Sequence, residues 1–131
     1  MKYPLVTVQE VLREHSLIQI GIVFGSAGSP RQRASSDVDV AVAAAGPLET
    51  SERMALTDDL AVRLGRPIDL VDLTAVSGVI LHQALSKGQI VLNRNPLLYA
   101  KLILRMWYDQ ADLMPNHNMI LNRRLETFIR G

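Results

Sequence analysis

One stretch organises the rest of the chain: Gly25-Ser-Ala-Gly-Ser-Pro-Arg-Gln-Arg-Ala-Ser-Ser-Asp-Val-Asp39. An apolar run, Ile20–Phe24, precedes this stretch, and a second run, Val40–Ala43, follows it. Short apolar runs separated by glycine, serine and proline predict two buried strands joined by a loop. In the second strand, alternation predicts that Asp37 and Asp39 share one face while the valines occupy the other.

The composition predicts one globular domain. The chain has 131 residues, of which 48% are hydrophobic and 21% charged, and its net charge is +1. A chain of this length can bury one core, and its net charge argues neither for nor against a nucleic acid as partner. The absence of cysteine excludes thiol catalysis, zinc–thiolate sites and disulfides. The start of the chain shows no signal-peptide pattern, and no apolar run spans a membrane, so we expect a cytoplasmic protein without direct nucleic-acid binding.

Hydrophobic periodicity and helix caps predict the other elements. Thr7 and Glu10 fit a capping box, Thr50 or Ser51 can cap a second helix that ends at Gly65, and Asn95 can cap a later one. We predict helices over 8–15, 50–64, 75–86 and 97–113, a further helix after Pro115, and strands over 17–24, 37–43, 68–73 and 89–92.

This order predicts an α/β (α+β) fold: a small mixed β-sheet with helices packed on one face, plus a C-terminal helical hairpin. Residues 1–95 are the expected core. Residues 96–131 are expected to form C-terminal helices that pack on this core, and on a partner, within a single domain.

The paired acids predict a metal site. Residues i and i+2 of a strand lie about 6.6 Å apart on one face, where two carboxylates repel each other unless a cation bridges them. Magnesium prefers oxygen ligands and shares its shell with phosphates, and two such ions can clamp a phosphoryl displacement. Asp37 and Asp39 are therefore the candidate ligands. Asp69 is the candidate third acid, because Asp72 points to the other face of the same strand and Asp69 lies between apolar neighbours.

The turn that follows the first strand predicts a phosphate site. Gly25 permits backbone angles and close approaches that other residues do not, and Ser26 offers a hydroxyl and a backbone N–H group. Arg31 and Arg33 can reach the outer phosphates of a nucleotide. Their alternative role is that of solubilising charges on an exposed loop.

These residues resemble the signature of the DNA polymerase β-like nucleotidyltransferases: Gly25-Ser26, ten further residues, then Asp37-Val38-Asp39. The small size of the chain is similar to that of the minimal nucleotidyltransferase (MNT) group. Two later segments, Ile68–Leu73 and Lys87–Leu92, also resemble that group. The resemblance covers residues 17–93. One departure is that the arginine comes at Arg31, whereas many MNT proteins have it soon after the Gly-Ser pair.

The resemblance implies an enzyme with the nucleotidyltransferase fold that transfers AMP from ATP to a hydroxyl group, with Mg²⁺ and release of pyrophosphate. Many MNT proteins are antitoxins that adenylylate a tyrosine of a HEPN ribonuclease toxin, which makes such a toxin the expected partner. In this interpretation Gly25 and Ser26 hold phosphates, Asp37 and Asp39 bind metal, and Asp69 is a third metal ligand that helps to deprotonate the acceptor.

Two other functions stay open on the sequence. One is an antitoxin that acts mainly by binding its toxin, and the other is a small-molecule nucleotidyltransferase of the aminoglycoside-modifying type. Large apolar residues near the C-terminus can form core or a docking patch: Trp107, Tyr108, Met114, Met119, Phe128 and Ile129. Four arginines can form a solvated face or approach a partner: Arg105, Arg123, Arg124 and Arg130. The three histidines are isolated in sequence and predict no metal site.

Overall fold

A computed structural model describes residues 4–25 and 37–112 of the chain, without the side chains of 110–112. The elements in chain order are α1 (Leu5–Glu14), β1 (Ile20–Phe24), β2 (Val38–Ala43), α2 (Thr50–Leu64), β3 (Ile68–Asp72), α3 (Gly78–Lys87), β4 (Gln89–Asn93) and α4 (Pro96–Asp112). The predicted succession is confirmed as far as α4. The helix predicted after Pro115 lies outside the described residues.

The four strands form one mixed sheet in the order β3-β2-β1-β4. β1 pairs with β2 and with β4 in antiparallel fashion, whereas β2 and β3 are parallel. The mixed sheet and the α+β class are therefore confirmed. Because β2 and β3 are parallel, the residues that begin both strands lie at the same end of the sheet, next to the residues that end β1.

Helices cover both faces of this sheet, so the expectation of helices on one face is wrong. The valines of β2 pack with α1 and α2 on one face. Ala41 and Ala43 pack with alternate residues of β1 and with α3 and α4 on the other face. The physical reason is that β1 and most of β2 carry apolar side chains at successive positions, and such strands are stable only when both faces are buried.

The structure confirms some of the predicted helix caps and contradicts others. The capping box predicted at Thr7 is wrong, because α1 begins at Leu5 and Thr7 lies inside its first turn. The cap of α2 is Glu49, which exchanges hydrogen bonds with Glu52, rather than Thr50 or Ser51. The other two predictions are confirmed: α2 ends at Gly65 in the left-handed conformation, and the Asn95 side chain accepts a 3.0 Å hydrogen bond from a backbone N–H of α4.

The helix α4 packs on the second face through Leu102 and Met106, which are buried. Trp107 is 55% exposed, so core packing does not hold for this residue, and Tyr108 is half-buried. The other members of the apolar group lie outside the described residues: Met114, Met119, Phe128 and Ile129. No helix in the described part of the chain is long and apolar enough to cross a membrane.

Candidate nucleotidyl-transfer site

The strand pairing brings the predicted acids to one end of the sheet. Asp39 in β2 lies opposite Phe24 of β1 and opposite Asp69 of β3. Side chains at such paired positions project from the same face, and Phe24 packs in the cluster that contains α3 and α4. Asp39 and Asp69 are therefore neighbours on that face. Asp37 is exposed and precedes β2 directly, so it lies at the same end of the sheet as Asp39 and Asp69.

Gly25 lies against the carboxylate of Asp39. Its φ is +68°, in the left-handed region that residues with a Cβ atom rarely adopt. A Cβ atom built at this position would overlap Oδ2 of Asp39 and would lie 3.1 Å from its Cγ. Two independent constraints, the backbone angle and the close approach, thus require glycine here. The turn that ends β1 comes near the acids because this residue has no side chain.

The electrostatics of the acids centre on Asp39. Burial raises the pKa of its carboxyl group above the ordinary value of 3.8, and the neighbouring charge of Asp69 raises this pKa further. In its protonated form Asp39 donates a hydrogen bond to Asp69, which acts in the same direction, as does the charge of Asp37. The cluster therefore holds more negative charge than its surroundings stabilise, and a bound cation would relieve this repulsion.

The donor chemistry of these acids fits Mg²⁺, which takes oxygen ligands and is held by one or two carboxylates together with phosphate oxygens. Asp39 and Asp69 are near enough for a side-chain hydrogen bond, and the charge of Asp37 also raises the pKa of Asp39. In the described residues, however, no three His, Asp or Glu side chains lie together in a group that could hold a metal ion on its own. These acids would supply only part of the coordination shell of such an ion, whose other ligands would be phosphate oxygens and water.

Asp72 has a structural role instead. Its side chain is buried, and it accepts hydrogen bonds from the backbone N–H groups of Leu48 and Thr74, each at 2.9 Å, and from the Thr74 hydroxyl at 2.7 Å. These bonds hold the segments that follow β2 and β3, at the end of the sheet that lies away from Asp39. Of the two acids of β3, the structure places Asp69 beside Asp39 and keeps Asp72 apart.

Three residues predicted to bind the nucleotide lie outside the described residues: Ser26, Arg31 and Arg33. Of the histidines, His15 pairs with Asp59 at 2.9 Å, and no metal cluster is formed by the histidines that the structure describes. His117 lies outside the described residues as well.

Arg105 has a role that neither sequence interpretation foresaw. Its guanidinium group donates hydrogen bonds to the backbone carbonyl oxygens of Leu73, at 2.6 Å, of Thr74, at 3.3 Å, and of Val76. It therefore ties α4 to the loop that follows β3 instead of forming part of a solvated face. An arginine amid the apolar residues of a helix predicted to pack on the core was the available signal, since such a side chain needs several acceptors.

Comparison with known proteins agrees with this geometry. A family model described as "Polymerase beta, Nucleotidyltransferase" matches residues 7–97. The protein adenylyltransferase MntA of Shewanella oneidensis is 38% identical over 72 residues, which are 55% of this chain and 52% of that protein. The chain thus spans about half the length of the curated relative that it matches.

Two solved structures share the fold. A chain of a crystal structure of a toxin–antitoxin with AMP-PNP superimposes with a TM-score of 0.70 and 28% identity, over 90% of this chain and 98% of that chain. A chain of the tri-AMPylated Shewanella oneidensis HEPN toxin in complex with MNT antitoxin gives a TM-score of 0.68 at 24% identity, over 92% and 95% of the two chains. At this lower identity the second likeness concerns the fold alone.

Proposed function

The chain belongs to the polymerase β nucleotidyltransferase family, and on this premise we propose that it is an antitoxin enzyme that transfers AMP from ATP to a tyrosine hydroxyl of a HEPN ribonuclease toxin. The name of its relative, protein adenylyltransferase MntA, supports the reaction. The similar structures, a toxin–antitoxin with AMP-PNP and an AMPylated HEPN toxin with its MNT antitoxin, support the nucleotide and the partner. The reaction uses cytoplasmic ATP, so the proposal assigns the protein to the cytoplasm.

The observation that carries the proposal is the contact between Asp39 and Asp69 beside the glycine turn. Two acids in contact, one of them with a raised pKa, form an unfavourable arrangement that a binding module does not need. In this proposal Asp37, Asp39 and Asp69 hold Mg²⁺, with two ions expected. When bound, Mg²⁺ neutralises charge on the phosphates and on the leaving pyrophosphate.

The protein groups divide the remaining work of the reaction. The tyrosine oxygen attacks the α-phosphorus of ATP, a new P–O bond forms, and the bond to the β-phosphate oxygen breaks to release pyrophosphate. The proton of the hydroxyl passes to a base, for which Asp69 is the proposed acceptor because it lies beside Asp39 and is exposed. Gly25, Ser26, Arg31 and Arg33 are proposed to position the phosphates, so that attack and departure lie in line.

The proposal includes the division of the chain. Residues 1–95 form the nucleotidyltransferase core, and residues 96–131 form helices that pack on it and contact the toxin. The packing of α4 on the sheet through Leu102 and Met106 supports the first contact, and the exposed Trp107 supports the second.

The test is transfer of label from radioactive ATP to the cognate toxin in the presence of Mg²⁺. We expect Asp39→Asn and Asp69→Asn to lose transfer by roughly 100-fold or more. Asp58→Asn, an exposed acid of α2, is the matched control and keeps full activity. Absence of label on the toxin with the wild-type protein, or full transfer by Asp39→Asn, contradicts the proposal.

Neutralisation of the toxin is a separate measurement. Catalytic neutralisation requires that Asp37→Ala and Asp39→Ala proteins, which still bind the toxin, leave its ribonuclease active. If these variants neutralise the toxin as fully as the wild type does, the antitoxin acts by binding, and transfer of AMP is secondary.

A further inference from the structure

The end of α3 lies at the same end of the sheet as the acids. The helix finishes at Lys87, Gly88 follows, and Gln89 then pairs with Val23 near the end of β1. A Cβ atom built at Gly88 would lie only 3.3 Å from Cβ of Phe24 and would overlap Ile22. The last turn of α3 is therefore pressed directly against the part of β1 that leads into Gly25.

The same turn of α3 also shares a face of the sheet with the acids. Phe24, Ala84 and Leu85 belong to one buried cluster, and Asp39 lies opposite Phe24 on β2. From β4 to β2 is two strand spacings, roughly 10 Å. A lysine side chain extends about 6 Å from its Cα atom, so the ammonium group of Lys87 can approach the acids but leaves room for a phosphate between them.

The charges at this end of the sheet affect the binding of a phosphate group. Three carboxylates line the site, and α3 directs the partially negative C-terminal end of its dipole toward it. Both features repel a triphosphate. Lys87 is the basic residue of the last turn of α3 and is exposed, so its charge is available to a ligand. Among the described residues Lys87 forms no ion pair that would occupy this charge.

We propose that Lys87 binds the β- and γ-phosphates of the nucleotide, opposite the acids that hold its metal ion. An ammonium group serves as a point charge for phosphate oxygens. The inference rests on the proposed function, since it assigns a phosphate contact within that site. In this proposal the last turn of α3 lies on one side of the bound nucleotide, Asp39 and Asp69 lie on β2 and β3 across from it, and Gly25 lies at the turn after β1.

The experiment measures equilibrium binding of ATP and of AMP to the full chain with Mg²⁺. We expect Lys87→Ala to weaken ATP binding by roughly tenfold, the size of one charge-assisted contact, and to leave AMP binding within twofold. Lys87→Arg keeps the charge and restores most of the affinity for ATP. Lys101→Ala is the matched control, because Lys101 is an exposed lysine of α4, and it binds both nucleotides as the wild type does.

The outcomes separate this inference from the proposed function. If the wild type binds ATP and labels the toxin, and Lys87→Ala does both equally well, the inference alone is overturned. If Lys87→Ala loses ATP and AMP binding to the same extent, Lys87 supports the helix end and not the phosphates, which also overturns it. If the wild type binds no ATP, the proposed function falls and the inference falls with it.

Discussion

Substitution of Gly25 by alanine separates the backbone requirement of this turn from its role in the site. Gly65 provides a matched control, because its φ of +67° is nearly the same as the +68° of Gly25, and a Cβ atom there meets nothing within 4 Å. Both alanines must adopt the left-handed conformation. Only the alanine at position 25 meets another group, the carboxylate of Asp39.

The magnitudes follow from this difference. The left-handed conformation costs an L-residue about 1–2 kcal/mol, and the loss of unfolded-state freedom on replacing glycine returns part of it. We expect each variant to lose about 1 kcal/mol in the free energy of unfolding, a decrease in Tm of roughly 3–5 °C. In Gly25→Ala the Asp39 carboxylate must also move by roughly 1 Å, and a displacement of that size lowers a rate by about 100-fold.

The assay pairs thermal unfolding with initial rates of AMP transfer. We expect similar melting temperatures for Gly25→Ala and Gly65→Ala, and activity lost only in Gly25→Ala. The carboxylate is the free end of a side chain and can rotate away, which is why the fold survives while the site does not. Equal activities in the two variants would show that the position of Asp39 against Gly25 is not needed for transfer, and the reasoning would be refuted.

Three further predictions concern stability. Because the pKa of Asp39 is raised in the folded state, its protonated form stabilises the fold at low pH, and this stabilisation is lost as the pH rises from about 4 through the raised value. We therefore expect the Asp39→Asn protein to have a higher Tm than the wild type at pH 7 without Mg²⁺. A higher Tm for the wild type would contradict this. Asp72→Ala should lower the free energy of unfolding by about 2–4 kcal/mol because it leaves three donors without their acceptor. Asp69→Ala on the same strand should not lower the Tm. Equal losses of stability for the two variants in urea unfolding would count against the structural role of Asp72. Arg105→Met should lower the free energy of unfolding by about 2–4 kcal/mol through the loss of its hydrogen bonds to the loop carbonyls. Lys101→Met, its exposed control, should lower it by less than about 0.5 kcal/mol. Equal stabilities of the two variants in denaturant unfolding would contradict the role of Arg105 in holding α4 to the loop.

The sequence predicted the site-bearing strands well because their pattern is local. Alternation around Asp39 depends only on the two-residue period of a strand, and the valines did take the face opposite the acid. The choice of Asp69 over Asp72 used the same period, and the structure places Asp69 beside Asp39. Period-two arguments need no knowledge of the rest of the fold, which is why they held here.

The helix placement could not be predicted in the same way. Ala41 and Ala43 are small, so their alternation with valine does not show whether a helix covers them. The run Ile20–Phe24 was the better indicator, because it contains no polar residue and such a run requires helices on both faces of the sheet. In the structure every residue of this run is buried. The cap of α2 failed for a related reason: Glu49 and Glu52 form their capping box through a pair of side chains, a combination outside the usual serine or threonine pattern.

The placement of α3 and α4 explains how a fold that buries both faces of its sheet still leaves the acids at one end uncovered by these two helices. Arg105 holds α4 to the loop after β3, at the end of the sheet away from Asp39. The helix α3 reaches the other end only at its last turn, against Phe24. In the described part of the chain, neither of these helices covers the beginnings of β2 and β3 beside Asp39 and Asp69, which both have exposed surface. Because the acids sit on strands fixed by backbone pairing, their Cα atoms cannot move apart to relieve the repulsion between the carboxylates, whereas a proton or a cation can relieve it. Burial raises the pKa of Asp39, and the charge of Asp69, which this constraint keeps nearby, raises it further.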